Sequence, residues 1–312
     1  MNKKILVTGG FGRVGSALIP HLLKEGYQVR ILGRHIHPDS PFRRNVEVQV
    51  GDLANYDDVE RAVEGVDIVC HMGALFPPLF FDEAKIIEAN VLGTFNVLQA
   101  MKNTGCKRLV FASTDAVYAT GPSFDYYSHA LTEDMPLNPI NVYGITKVAN
   151  ETTIQKYARL FDISYITLRF FWSMRSDEMI RLMFEARNYM DDIVEEDKAG
   201  LSEDTIVEIC CEDGSKYCDH ITDFRDIGYS VFLAVEHEEV KNETINIAAA
   251  DLVDYEKYSP IIAEKLQRPL KKVRIKGIKN YQADISKARK LLGFEPAHSM
   301  DEMVSLAIGD KK

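Results

Sequence analysis

The segment Thr8-Gly9-Gly10-Phe11-Gly12-Arg13-Val14-Gly15 joins a short apolar run, Lys4–Thr8, to an amphipathic stretch, Arg13–Glu25. A Gly-x-x-Gly-x-x-Gly spacing between a predicted strand and a predicted helix is typical of a turn that binds a dinucleotide. Glycine lets the backbone approach a pyrophosphate, and the helix N-terminus offers unpaired N–H groups and a positive dipole end. The segment therefore predicts a dinucleotide site built by Gly9, Phe11, Gly12, Arg13, Val14 and Gly15.

Short apolar runs alternate with amphipathic stretches through the first half of the chain. Such alternation predicts right-handed crossovers and a parallel sheet covered on both faces, which is a Rossmann-type, doubly wound α/β fold. The predicted strands are Lys4–Thr8, Gln28–Leu32, Val46–Val50, Ile68–His71, Arg108–Ser113 and Tyr165–Leu168. The predicted helices are Arg13–Glu25, Asp57–Val63, Ile86–Asn103 and Asn141–Leu160.

The pattern loosens after about Phe170, where the stretch Arg181–Ala199 predicts one further helix. Because no repeat or low-complexity linker separates the two parts, we expect a dinucleotide-binding domain over 1–170 and a smaller α+β substrate lobe over 171–312 packed on it. Some elements of the lobe are expected to return to the first domain. The other elements predicted there are strands Thr205–Cys210, Thr244–Ile247 and Lys271–Ile275, and helices Phe224–Glu236, Tyr255–Lys265 and Ile285–Leu292.

The composition is that of an ordinary soluble globular protein, with 46% apolar and 27% charged residues in 312. With 37 basic and 47 acidic residues the net charge is −10, which argues against nucleic acid as a partner. No apolar run approaches the roughly 18 residues of a membrane helix. Five cysteines without a C-x-x-C pair favour a reduced, cytoplasmic protein. His35 and His37 have no carboxylate or cysteine to complete a metal site, so we expect no metal.

The residues at the end of the second predicted strand indicate which dinucleotide binds. An acidic residue there would hold the 2′-hydroxyl of NAD, whereas a guanidinium suits the 2′-phosphate of NADP. The chain has Gly33 followed by Arg34, and Arg13 could add positive charge, so the sequence favours NADP over NAD. The alternative, a solvated Arg34 with either dinucleotide bound, stays open. Asp52 and Leu53 follow the third strand, where Asp52 either holds the adenine amino group or caps the next helix.

Tyr143 and Lys147 form a Tyr-x-x-x-Lys pair on a predicted helix. Residues four apart share a helix face, so the ammonium can lie near the phenol and is expected to lower its pKa. A phenol so tuned exchanges the proton of a carbinol while hydride moves to or from nicotinamide. Thr114 ends a predicted strand at the edge where ligands bind in a doubly wound sheet, and it is the expected partner of the substrate oxygen.

These motifs together resemble the extended short-chain dehydrogenases/reductases, in the NAD-dependent epimerase/dehydratase family. The resemblance implies a Thr114–Tyr143–Lys147 triad, with Lys147 also holding the nicotinamide ribose. It also implies a sugar or sugar-like substrate and a homodimer through helices 86–103 and 141–160. It extends the predicted cofactor contacts to Asp52, Leu53, Gly73, Ala74 and Asn90. The segments that carry it are Thr8–Gly15, Asp52-Leu53, His71–Ala74, Asn90 in Ala-Asn-Val-Leu-Gly-Thr, Ser113–Tyr118, Tyr143–Lys147, Leu168-Arg169 and Asp284–Pro296.

The chain departs from the family pattern at three places. Ala116 replaces a glutamate that sugar-nucleotide 4,6-dehydratases carry, which disfavours dehydration. Trp172 stands where many epimerases have an asparagine, and Cys218 or Asp219 stands near a family arginine that contacts substrate phosphate. Trp172 is therefore expected either beside the substrate or between the two lobes. The candidate substrate residues are Phe76, Asp115, Trp172, Ser173 and Arg175, with the apolar segment Phe76–Phe81 as pocket wall or lid.

The functional hypothesis is NAD(P)-dependent hydride transfer at a secondary alcohol or ketone carbon of a sugar-like substrate, which either carries a nucleotide or does not. An epimerase would oxidise and re-reduce one carbon and keep its cofactor bound. Two alternatives remain at this point. One is an NADPH-dependent reductase or dehydrogenase of a non-nucleotide carbonyl compound, and the other is a dinucleotide-sensing protein without catalysis.

Overall fold

The computed structural model describes residues 3–76, 82–118, 130–277 and 282–309. The strands are β1 (Lys4–Thr8), β2 (Gln28–Gly33), β3 (Glu47–Val50), β4 (Ile68–His71), β5 (Arg108–Thr114), β6 (Ser164–Phe170), β7 (Ser173–Met174), β8 (Ile206–Cys211), β9 (Thr222–Asp223), β10 (Glu243–Ile247) and β11 (Leu270–Ile275). The α-helices are α1 (Arg13–Lys24), α2 (Tyr56–Val63), α3 (Glu83–Ile87), α4 (Gly93–Thr104), α5 (Val142–Phe161), α6 (Ser176–Met179), α7 (Phe224–Glu236), α8 (Tyr255–Leu266), α9 (Ser286–Leu292) and α10 (Met300–Ala307).

Seven strands form one parallel sheet in the order β10-β6-β5-β4-β1-β2-β3. One face is covered by α1 and α7, whose Leu18 and Val231 are fully buried in a shared core. The other face is covered by α2, α4 and α5, with Val59, Val97 and Ile154 in a second core. Helices on both faces of a parallel sheet confirm the predicted doubly wound fold.

The predicted helix Ile86–Asn103 is present in three joined pieces. It begins as α3, passes through a π-helical turn over Glu88–Leu92 and continues as α4. Within the π turn, Asn90 is buried and its side chain bonds both backbone groups of Leu75. The extra residue per turn therefore lies where the helix supports the loop after β4.

The second part of the chain has a core of its own around a two-stranded parallel sheet, β8 and β11. Helix α8 covers this sheet and α10 packs on α6, and Tyr258, Ile262 and Met303 are buried in the shared core. The elements α7 and β10 lie apart from it, because α7 packs on α1 and β10 pairs with β6 in the large sheet. Residues 224–247 thus return to the first part of the molecule, and α10 is an element that the sequence pattern missed.

The predicted helix Arg181–Ala199 is wrong. The chain there forms a π turn over Ile180–Phe184 and short 3₁₀ turns over Ala186–Asn188 and Glu195–Asp197. The backbone N–H of Ala186 bonds Thr205 O at 2.9 Å, and that of Val194 bonds Arg274 O at 3.0 Å. These bonds to neighbouring segments replace the i to i−4 bonds of a helix. None of the helices that the structure describes is long and apolar enough to cross a membrane.

Candidate active site

A cavity of about 1090 Å³ opens over the carboxyl ends of the central strands. Its wall contains the turn after β1 with Gly9 and Gly12, the end of β5 with Thr114, and Tyr143 near the start of α5. Across from them, Trp172 and neighbouring residues of the second part close the other side. This edge is where ligands bind in doubly wound folds, so the cavity is the candidate site.

The glycines of the turn are required by close backbone contacts. Gly9 has a φ of +66°, and a Cβ atom there would lie 2.8 Å from Gly73 Cα. A Cβ atom at Gly15 would lie 2.5 Å from Gly10 Cα. Gly12 precedes α1 without a side-chain cap, so the first N–H groups of this helix have no capping side chain. The turn thus presents backbone donors and a positive helix end, which fits the pyrophosphate of a dinucleotide.

Most of the predicted cofactor residues line the cavity. Phe11 and Gly15 do not line it, since Phe11 stacks on Phe42 with ring centroids 6.0 Å apart and Gly15 packs against the turn itself. Asn90 supports the Leu75 backbone instead. The predicted residues in the wall are Gly9, Gly12, Arg13, Val14, Arg34, Asp52, Leu53, Gly73, Ala74, Tyr143 and Lys147.

The side chains of Arg13 and Asp52 bond protein groups. Arg13 donates to Glu178 and to Ser173 O, each at 2.6 Å, so its guanidinium joins α1 to the second part of the chain. That placement differs from the expected support for a 2′-phosphate. Asp52 accepts a bond from Ala54 N at 2.9 Å, while Asn55 rather than Asp52 caps α2.

His71 at the end of β4 links the strand ends beneath the cavity. Its ring nitrogens contact Thr8 Oγ1 at 2.7 Å and Thr94 Oγ1 at 3.1 Å, and Thr8 Oγ1 also accepts from Gly73 N. Complete burial and the nearby Lys147 charge lower the pKa of His71 to about 3. His71 is therefore a neutral structural residue, which holds the backbone of the glycine turn and of Gly73 together.

Helix α5 brings Tyr143 to the end of β5 through a close backbone approach. Asn141 caps the helix by accepting from Gly144 N at 2.8 Å. A Cβ atom at Gly144 would lie 2.3 Å from Ala116 O, so only glycine allows α5 to pack this near. As a result Tyr143, Lys147 and Thr114 face the same cavity.

The electrostatics of Tyr143 differ from the expectation. Burial, and secondarily the Asp115 carboxylate, raise the pKa of the phenol above its usual value, while a hydrogen bond with Thr114 acts in the opposite direction. Lys147 Nζ lies 5.7 Å from the centre of the Tyr143 ring and donates to Ala112 O at 2.7 Å. The predicted lowering by Lys147 is thus wrong for this arrangement. A neutral phenol is the proton-donating form.

Lys147 is itself strongly perturbed. Burial lowers its pKa to about 7, against the attraction of the Glu151 carboxylate one turn further along α5. Glu151 accepts from Ser113 Oγ at 2.5 Å and pairs with Arg169 at 2.8 Å, with both charged side chains almost completely buried. Lysine and glutamate thereby join α5 to successive residues of β5, which fixes the position of Thr114 at the strand end.

Four of the candidate substrate residues, Phe76, Asp115, Trp172 and Ser173, line the cavity. The Phe76 ring lies 6.3 Å from the Tyr143 ring. The rest of its segment, 77–81, lies outside the described residues. Arg175 is not part of the wall, because its guanidinium lies over the Phe224 ring and pairs with Asp177.

The sequence reasoning missed several wall residues of the second part. Arg181, Leu182 and Asn188 fall within the stretch that was predicted as one helix, so no local signal pointed to a cavity there. Their position depends on the π and 3₁₀ turns described above. The missed residues include Glu178, Arg181, Leu182 and Asn188 of the second part, and also Lys85 and Glu88 of the first part.

Comparison with known proteins identifies the family. The model of the NAD dependent epimerase/dehydratase family matches residues 5–248. The chain belongs to this family. The resemblance inferred from the motifs is thereby confirmed, and the chain is an NAD(P)-dependent enzyme of the short-chain dehydrogenase/reductase type.

Individual relatives are similar to this chain over part or nearly all of its length. The UDP-glucose 4-epimerase of Lactobacillus helveticus is 28% identical over 97% of this chain and 96% of its own. The uronate dehydrogenase of Pseudomonas syringae pv. tomato is 31% identical over 58% of this chain and 63% of its own. A short-chain dehydrogenase/reductase superfamily protein from Agrobacterium tumefaciens, solved with bound NAD, superposes with a TM-score of 0.85 at 29% identity, covering 98% of this chain and 96% of that one.

Proposed function

We propose that this enzyme transfers a hydride between NAD(P) and a secondary alcohol or ketone carbon of a sugar or sugar-like substrate. The observation that carries the proposal is the convergence of Thr114, Tyr143 and Lys147 in the same cavity as the glycine turn. When bound, NAD(P) supplies a nicotinamide carbon that accepts or gives the hydride. The relatives that act on UDP-glucose and on uronates support a sugar as the substrate class.

The residues of this chain act on the oxygen of the reacting carbon. Thr114 holds the substrate oxygen next to the Tyr143 phenol. The neutral phenol gives its proton to a carbonyl oxygen during reduction, and the phenolate takes the hydroxyl proton during oxidation. Lys147, which lies in the same wall, would hold the ribose next to the nicotinamide of bound NAD(P).

The test is product analysis with the purified protein and NAD. UDP-glucose, UDP-galactose, D-glucuronate and D-galacturonate are supplied separately, while NADH is followed by absorbance and the sugars by NMR. Inversion at one carbon without accumulating NADH identifies an epimerase, and NADH formed in proportion to an oxidised sugar identifies a dehydrogenase. If no sugar is converted, or if Tyr143→Phe converts it at the wild-type rate, the proposal is refuted.

A second candidate, an NADPH-dependent reductase of a non-nucleotide carbonyl compound, is favoured by the residues after β2. Arg34 follows Gly33 in the cavity wall, and no acidic residue stands beside it in the sequence. We expect Arg34→Glu to weaken NADPH binding by about tenfold or more, since charge-assisted hydrogen bonds contribute about 1.5–3 kcal/mol. Arg44→Glu, exposed and outside the cavity wall, is the control. Unchanged NADPH affinity in Arg34→Glu would refute an NADP preference.

The proposed assembly is a homodimer through helices 86–103 and 141–160. On α3, the π turn and α4, Ile87, Leu92 and Phe95 are 49%, 42% and 43% exposed and border a shallow apolar groove. Apolar side chains exposed together favour a helix-to-helix contact. Phe95→Glu should give a monomer in light scattering, and Ile261→Glu on α8 should leave the mass unchanged. A wild-type monomer refutes the dimer.

We also propose a cytoplasmic location. The five cysteines form no C-x-x-C pair and all of them are buried, which suits a compartment that keeps thiols reduced. Fractionation of the source cells with an antibody tests this, and recovery from an extracytoplasmic fraction would contradict it.

A further inference from the structure

Among the residues that the structure describes, three arginines line the cavity, and only Arg13 is paired there with a carboxylate. Arg13 is held by Glu178, as described above. Arg34 lies at the end that the proposed function gives to the cofactor. Arg181, in the π turn on the opposite side, has no carboxylate partner among the residues that the structure describes. Arg181 is therefore a positively charged residue at the substrate end of the cavity, and no role has been assigned to it.

The backbone that carries Arg181 is fixed although its side chain is exposed. Met179, Met183 and Phe184 on either side are completely buried in the core of the second part. The Asn188 side chain donates to Arg181 O, which ties the turn to the following segment. The base of the side chain is thus positioned by packing, so its guanidinium can meet a ligand at little cost in backbone order.

The surroundings of Arg181 favour an anion. Trp172 and Leu182 add apolar area to the same wall, and the exposed guanidinium of Arg181 attracts an opposite charge. The acidic side chain that precedes it by three residues, Glu178, is already bonded by Arg13 at 2.6 Å. A guanidinium in such a place binds a carboxylate or a phosphate through two parallel hydrogen bonds.

The positions that hold substrate phosphate in many family epimerases offer no cation in this chain. Asp219 is 1% exposed and accepts from Tyr255 OH at 2.6 Å within the core of the second part. Neither Cys218 nor Asp219 is part of the cavity wall, and Trp172 replaces the family asparagine. Any anionic group at this end of the cavity must therefore be recognised by a different residue.

We propose that Arg181 binds a negatively charged group of the substrate and selects acidic sugars over neutral ones. The group is a carboxylate or a phosphate, since both present paired oxygen atoms to a guanidinium. The inference rests on the proposed function in taking the substrate to be sugar-like. It adds to that function the charge of the substrate and the residue that recognises it.

The sole tryptophan provides a binding assay that does not need catalysis. Trp172 lies in the same wall as Arg181, so its fluorescence reports ligands at this end of the cavity. The NAD-loaded protein is titrated with D-glucuronate, UDP-glucose and D-glucose. The wild-type protein should bind an anionic probe at least about tenfold more tightly than glucose, and Arg181→Gln should lose about tenfold or more of that affinity.

Arg175→Gln is the control, because Arg175 lies six residues earlier, is half-buried and is outside the cavity wall. It should bind every probe as the wild-type protein does. An effect of Arg181→Gln on glucuronate points to a carboxylate, and an effect confined to UDP-glucose points to a phosphate.

Three results overturn the inference. In the first, no anionic probe binds the wild-type protein more tightly than glucose does. In the others, Arg181→Gln binds the anionic probe with wild-type affinity, or Arg175→Gln weakens its binding as much as Arg181→Gln does. The test also separates this inference from the proposed function. Suppose that Arg181→Gln loses anion binding but the wild-type protein transfers hydride with none of the sugars. This result would refute the proposed function alone. Sugar turnover with unchanged kcat/KM in Arg181→Gln would refute the inference alone.

Discussion

The two ends of the cavity are built from different parts of the polypeptide. At the cofactor end the wall includes the main chain of the glycine turn, where Gly9 and Gly73 approach one another too closely for a Cβ atom at Gly9. At the other end it consists of side chains such as Trp172 and Arg181. A wall of main chain allows few substitutions, whereas a wall of side chains can change specificity by single exchanges.

The largest effect is expected on the turnover rate when Tyr143, where the two ends of the cavity meet, is changed. Tyr143→Phe removes the proton donor but keeps the ring, so the turnover rate should fall by about 10²–10⁴-fold, the usual contribution of general acid–base catalysis. Dinucleotide affinity and the unfolding midpoint should stay at their wild-type values. Steady-state kinetics and nucleotide titration measure both.

Tyr157→Phe is the control for this experiment, because Tyr157 lies on the same helix and bonds Gln99 outside the cavity wall. Its turnover should match that of the wild type. Equal turnover in Tyr143→Phe and Tyr157→Phe would remove Tyr143 from the reaction.

The cofactor end is tested by a pair of glycine variants with similar backbone angles. Gly9 and Gly65 have φ of +66° and +69°, but a Cβ atom at Gly65 would meet nothing within 4 Å. Gly65→Ala should cost about 1 kcal/mol of stability through backbone strain and leave dinucleotide affinity unchanged. Gly9→Ala should cost more and weaken dinucleotide binding by about tenfold or more, because Gly73 must move. If both variants bind NAD equally well, the close approach at Gly9 does not matter for the site.

Another expected effect is the pH dependence of stability that Lys147 causes. Its pKa is about 7 in the folded protein against 10.5 for the free side chain. Between these values the unfolded chain binds more protons, so this lysine makes wild-type stability rise with pH from about 7 to 10.5. The gain in stability of Lys147→Met over the wild type should therefore be largest at pH 6 and shrink towards pH 10.

Chemical denaturation of the wild type and Lys147→Met at several pH values measures this change. A difference in unfolding free energy that is constant from pH 6 to pH 10 would show that Lys147 does not carry the buried charge.

How much could be predicted from the sequence also differs between the two ends. The glycine turn and the Tyr143–Lys147 pair were predictable because each depends on spacings within one turn or one helix. The stretch Arg181–Ala199 was not, because its backbone bonds partners such as Thr205 and Arg274 that are distant in sequence.

The pKa of Tyr143 and the ion pair of Arg13 could not be predicted from the sequence either. The raised pKa of Tyr143 results from burial and from Asp115, which belongs to another element. Arg13, predicted to face a 2′-phosphate, instead pairs with Glu178 across the cavity. Both depend on the way the second part of the chain packs over the strand ends, which no local pattern describes.

The most direct test of the central claim is the binding of NAD and NADP to the purified protein. Any nucleotide that remains after purification is released by denaturation and identified by mass, and the emptied protein is then titrated calorimetrically with each dinucleotide. The account predicts one bound dinucleotide per chain, and binding that is lost or at least strongly weakened in Gly9→Ala. A protein that is purified empty and binds neither NAD nor NADP would contradict it.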